Sequence, residues 1–331
     1  MTTRLSLLST IIVALAACGG SKSDDPQAKP AAEAAKAEPA PAEGKAQPLP
    51  PQTPPEPPKV REASPTEVRA EKVKLGSFIP KAGDTRTETV KIRFQRVLEA
   101  TEGAEVQYSE LDERHEFEAR IEIVEADDEG ATKAKVVYTS RTDQDPKGGQ
   151  ASRLPAHPAT DKTYVLTKDG AHITVTNEDG TAAPAKETRA VLDSNFAFAT
   201  GRFTDLLPTG EVEPDEQFEL DERKVAPLLE ARPRRGQELK RGLLTYRGLA
   251  DVDGATVAVF ALDVELQTLE GILRTTMTLG GELLFDPKTG RLVKATLQGP
   301  TKVESETGVH GGAQAKGVGA VTIDAEVVFP P

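Results

Sequence analysis

The residues able to do chemistry are few and far apart. There is one thiol, Cys18, and there are four imidazoles, His115, His157, His172 and His310. A lone Cys excludes an internal disulfide and any zinc site built on several thiolates. His115 stands among Asp112, Glu113, Glu116 and Glu118, the residue types of a metal or acid–base centre. On an extended segment, however, His115 and Phe117 share one face while Glu116 and Glu118 take the other, so the spacing dictates no ligand set. His157 is bracketed by Pro155 and Pro158, and no His has a partner at the HExxH spacing. Ser194 follows Asp193 without a G-x-S-x-G elbow. Gly308–Gly319 is glycine-rich yet lacks the Gly-Lys-Ser/Thr end of a phosphate loop. The acidic runs Asp127–Gly130 and Glu211–Glu216 offer oxygen ligands without the order of a calcium loop. Arg232–Gly236, continued by Lys240 and Arg241, is a basic run that suits an anionic partner or a plain surface turn. The expectation is therefore no catalytic, cofactor-binding or metal-binding residue.

Charge narrows the partners. The 331 residues carry 53 acidic and 41 basic side chains, a net charge of -12. Binding to phosphate backbones draws on a Lys/Arg excess, so no nucleic-acid partner is expected.

Cys18 gains meaning from what precedes it. Met1–Arg4 is a short basic start, and Leu5–Ala17 is mostly apolar and uncharged. As a helix these residues reach about 20 Å, short of a hydrocarbon core of about 30 Å, which fits a signal peptide and not a spanning anchor. The run ends Leu15-Ala16-Ala17-Cys18, followed by Gly19-Gly20-Ser21, and this resembles the lipobox of bacterial lipoproteins. The resemblance covers about twenty residues. It implies diacylglyceryl modification of the Cys18 thiol, cleavage just before it, and acylation, commonly with palmitate, of the new amino terminus. It also implies anchoring to the cell envelope through those acyl groups, with Gly19 pointing to the outer membrane, facing periplasm or surface. No His or basic pocket is encoded beside Cys18 to favour a reactive thiolate.

A tether follows. Gly19–Lys74 holds twelve prolines, nine acidic and nine basic residues, and no Phe or Tyr. The Pro48–Pro58 run cannot sustain a helix, and there is too little apolar surface to offset the entropy of ordering. The reading is a disordered spacer, reaching from about 40 Å as a coil to roughly 170 Å extended. The expected organisation is a signal peptide over 1–17, the acylated Cys and tether over 18–74, and one β-rich domain over 75–331.

The elements of that domain are read from period-2 alternation. Val90, Ile92 and Phe94 share a face within Thr89–Val97, and Phe117, Ala119, Ile121 and Ile123 share one within Val106–Val124. Further strands are expected at Ala134–Thr139, Leu239–Tyr246, Thr256–Leu266, Leu273–Leu279, Glu282–Phe285, Leu292–Leu297 and Val318–Phe329. Lys168–Ala171 joins Thr163–Thr167 to His172–Thr176 as a hairpin, and Asp286–Gly290 is a turn. Helical spacing marks Lys186–Ala199 and Asp221–Ala231. The fold class is mainly β or α+β: a large twisted antiparallel sheet, half-barrel-like, with two short helices. No transmembrane barrel is expected, because Trp is lacking and the aromatic content is 4%. A half-closed sheet of this kind is broadly similar to the periplasmic lipid- and lipoprotein-carrier folds, by fold-level analogy alone.

Two function classes follow. The first is a membrane-anchored envelope lipoprotein with a non-catalytic binding or structural domain. Its partner is an envelope protein, or an apolar ligand such as lipid carried on the face of Val90, Ile92, Phe94, Phe117, Ile121 and Ile123. The second is an envelope hydrolase whose site leaves no motif.

Overall fold

The computed structural model describes residues 55–60, 65–102, 105–128, 130–144, 158–170, 172–194, 203–225, 237–270, 272–305 and 314–329. Cys18, the leader, most of the tether, His157, His310 and Arg232–Gly236 lie outside them.

The strands are β1 Val73–Leu75, β2 Thr85–Glu102, β3 Glu105–Asp127, β4 Gly130–Gln144, β5 Thr163–Asp169, β6 His172–Asn177, β7 Gly210–Val212, β8 Gln217–Glu219, β9 Gln237–Val252, β10 Ala255–Glu270, β11 Leu273–Phe285, β12 Leu292–Ser305 and β13 Gln314–Val328. Among the described residues, two helices, α1 Ala185–Ser194 and α2 Glu222–Val225, and a 3-10 turn at Thr204–Leu206 lie between β6 and β9. Eleven strands form one twisted antiparallel sheet, ordered β6-β5-β4-β3-β2-β13-β12-β11-β10-β9-β8, which does not close into a barrel. β1 and β7 pair separately. The sheet is thus two meanders, β2–β6 and β8–β13, joined where the last strand runs beside the second, with Val90 opposite Ala325.

Local chemistry explains the reversals. Asp253 and Gly254 have φ of 50° and 81° between the paired Val252 and Ala255, the two left-handed residues that a tight hairpin turn requires. Asp286 closes the β11–β12 turn: its carboxylate accepts from Lys288 N and Thr289 Oγ1 at 3.0 and 2.6 Å. Pro300 sits in the central strand β12, where a missing N–H weakens a ladder. The β11–β12 register is the same on both sides of it, with Met277 opposite Thr301 and Gly280 opposite Gln298, and no pairing between.

One face carries the main core. Phe117, Ile121, Tyr138, Tyr164, Phe260 and Phe285 are buried there, with Phe203, Leu206 and Val212 from the segment between the meanders. From the helices, Val191 of α1 and Val225 of α2 are fully buried. The expected helices Lys186–Ala199 and Asp221–Ala231 are described only as far as Ser194 and Val225.

A smaller cluster, Ala250, Val257, Val259 and Leu284, lies apart from it, with Val68 packed against it. The chain entering from the tether docks on the body. Thr66 donates from N and Oγ1 to the Glu282 carboxylate at 3.0 and 2.6 Å. Arg69 and Leu249 exchange two backbone hydrogen bonds at 2.7 and 3.0 Å. Residues 65–74, which the sequence reading assigns to the tether, therefore belong to the folded body. Strand β9 also runs six residues past its expected end at Tyr246, because Gly248 interrupts the apolar pattern without ending the strand.

Candidate functional site

The register of the strands sorts the inner face into rows, since directly opposed residues share a face. In one row Val90 opposes Phe117 and Ala325. In the next Ile92 opposes His115 and Ile323, and in the next Phe94 opposes Glu113 and Val321. Beyond these, Arg96 opposes Leu111 and Gly319. The six expected face residues do lie on one side of β2–β3, but they divide into two groups. Val90, Phe117, Ile121 and Ile123 are core, between 2% and 8% exposed. Ile92 and Phe94 are half-buried and continue that apolar face outward.

The outer part of the face has mixed chemistry. The His115 ring meets Phe94 edge-on at 6.4 Å. The Arg96 guanidinium lies 5.6 Å from the centroid of the same Phe94 ring, a cation–π distance. Thr301, opposite Gly319, is 3% exposed. Sequence parity alone puts Arg96 in line with Val90, Ile92 and Phe94. Thr301 and Gly319 escape a sequence reading because they arrive from strands some two hundred residues later.

Two carboxylates elsewhere, Asp112 and Glu187, are occupied by structural partners. On the opposite face of β2–β3, Asp112 accepts from Arg93 at 2.8 and 2.6 Å and from Arg114 Nη2 at 3.0 Å. Arg93 foremost, with Arg114, holds its carboxyl down at about 2. Glu187 at the start of α1 accepts from Lys162 and from the Tyr164 hydroxyl, both at 2.6 Å. These contacts hold Glu187 below the usual carboxylate range, and burial, then Glu187, push Tyr164 up. The arrangement ties α1 to β5. His172 is exposed on β6, away from His115. Among the described residues no group of three His, Cys, Asp or Glu is placed to hold a metal ion.

The edges matter as well. β4 accompanies β3 only from Arg114 onward, so Glu105–Glu113 has β2 on one side and, among the described residues, no strand on the other. No helix among the described residues is long and apolar enough to cross a membrane.

No protein-family model matches the chain, and no curated protein matches it. Among solved structures, one of lipovitellin concerning lipid–protein interactions is similar at 11% identity and a TM-score of 0.35, covering 76% of this chain and 26% of that one. A DUF1329 family protein from Desulfovibrio piger is similar at 11% identity and a TM-score of 0.13, covering 72% of this chain and 85% of that one. This chain thus spans about a quarter of the lipovitellin chain, and at these scores neither likeness assigns a function.

Proposed function

We propose that the chain is a lipid-anchored bacterial envelope protein whose β domain binds and does not catalyse, and that it holds an apolar ligand, an acyl chain, against the outer part of its inner sheet face. The observation that carries the reading is the change along that face from the closed core at Val90 and Phe117 to the half-buried Ile92 and Phe94. Completing the burial of such side chains recovers part of the roughly 1.5–3 kcal/mol each is worth, and each covered methylene of a ligand adds about 0.8 kcal/mol. The anchor rests on Leu15–Cys18 and the apolar run before it.

The test uses the unacylated mature chain, residues 18–331 with Cys18→Ser, titrated with a dansyl-labelled fatty acid. Saturable fluorescence enhancement that Phe94→Glu and Ile92→Glu abolish is the expected result. No saturable signal, or one indifferent to both substitutions, overturns the reading. For the anchor, labelled palmitate should enter the native chain and not Cys18→Ala, which should leave the membrane fraction. Label in Cys18→Ala would remove the assignment.

A second reading is favoured by the edge at Glu105–Glu113, where an extended segment of an envelope protein could add a strand. Its signature is partner binding that Ser109→Pro abolishes while fatty-acid binding persists.

A further inference from the structure

The row beyond Phe94 departs from the rest of the inner face. It runs Leu266, Met277, Thr301, Gly319, Arg96 and Leu111 across β10, β11, β12, β13, β2 and β3. Its ends and Met277 are apolar, yet its centre carries a guanidinium and a hydroxyl on either side of a glycine. The glycine is needed there. A Cβ on Gly319 would fall 2.1 Å from the Gln95 carbonyl oxygen, 2.6 Å from Thr301 Oγ1 and 2.9 Å from Arg96 Cγ, so the Thr301 and Arg96 side chains meet over this glycine.

Thr301 supplies a second and independent sign. Its Oγ1 is buried without a hydrogen-bond partner, in a side chain 3% exposed. An unsatisfied buried hydroxyl is destabilising, and a stability-driven sequence would place Val there.

Resting on the binding reading above, we infer that Arg96 and Thr301 form a head-group site for a carboxylate at the end of the apolar ligand. One guanidinium fork and one hydroxyl match the two oxygens of a single carboxylate. The head lies over Gly319 and the chain runs along Phe94 and Ile92. Glu113 lies opposite Phe94 on the same face, one row from Arg96.

The experiment compares dodecanoate with dodecanol on the unacylated mature chain, each displacing the dansyl probe. Dodecanoate should bind at least about tenfold more tightly than the alcohol. Arg96→Gln should erase that preference while leaving the alcohol's affinity within about threefold. Thr301→Val should weaken dodecanoate severalfold and at the same time raise the unfolding midpoint or leave it unchanged, an outcome that separates a binding hydroxyl from a structural one. Equal affinities for acid and alcohol in the native chain overturn the head-group site and leave the apolar-ligand reading intact. Failure of both to displace the probe, or no probe binding, overturns that reading itself.

Discussion

Arg86 donates from Nε to Glu88 Oε1 at 2.7 Å, and the two side chains are only 3% and 5% exposed. They stand two residues apart on β2, opposite Ile121 and Ala119, so a charged pair is set into the main core. Removing one member of such a pair leaves the other charge buried, at a cost of about 3–5 kcal/mol, whereas replacing both by apolar residues is often neutral or better. Urea unfolding should therefore show Glu88→Leu and Arg86→Met each strongly destabilised. The double substitution should recover most of the loss. Additive losses would mean that the two residues act separately.

Gly248 has φ of 136°, and a Cβ there would lie 2.2 Å from the Arg69 carbonyl oxygen. The entering strand passes too close to β9 for any side chain. Gly248→Val should detach residues 66–72, read as early proteolysis and fast hydrogen exchange in that segment. Glu282→Ala, which removes the acceptor for Thr66, should loosen the same segment more mildly, by about 1–2 kcal/mol. The Tyr246 hydroxyl, which donates to the Glu71 carbonyl at 2.8 Å and is pushed up to about 12 by burial, should report the loosening as a fall in its titration point.

How far the sequence can be read follows from these cases. The β2–β3 face is legible because apolar residues alternate with charges, and charges such as Glu116 and Arg120 leave one orientation for the strand. The turns at Asp169-Gly170 and Asp286–Gly290 are legible from residues that favour turns. Residues 65–74 are legible only in part: Val68, Val73 and Leu75 hint that order begins there, but not that Val68 meets the small cluster around Val257 and Val73 the main core. Pairing of β2 with β13 is a long-range choice that no local pattern encodes. Consequently Ile92, Phe94 and Arg96 of the candidate site can be read from parity, and Thr301 and Gly319 cannot.

Asp112 carries one part of the acid response. Its folded-state value of about 2 lies below the ordinary 3.8, so the carboxylate contributes stability above pH 3.8 that is lost as pH falls through about 2. Asp112→Asn should be less stable than the native chain at pH 6, and the gap between them should close between about pH 4 and pH 2. A gap that persists unchanged at pH 2 would place its origin in packing and not in charge.

The centre of the sheet yields the sharpest contrast between adjacent residues. A Cβ on Gly299 would fall 1.7 Å from the Thr278 carbonyl oxygen, a backbone atom that cannot swing aside. The neighbouring Pro300 faces Ala320 of β13, and the β11–β12 register leaves positions 278–279 unmatched beside it. Gly299→Ala should therefore destabilise by about 3 kcal/mol, at the upper end of overpacking costs. Pro300→Ala restores an N–H and relieves the fixed φ, against a small gain in unfolded-chain entropy, and should change stability by no more than about 1 kcal/mol. Because this crossing lies one row from Thr301, Gly299→Ala should also weaken dodecanoate binding in protein that remains folded. Pro300→Ala should not.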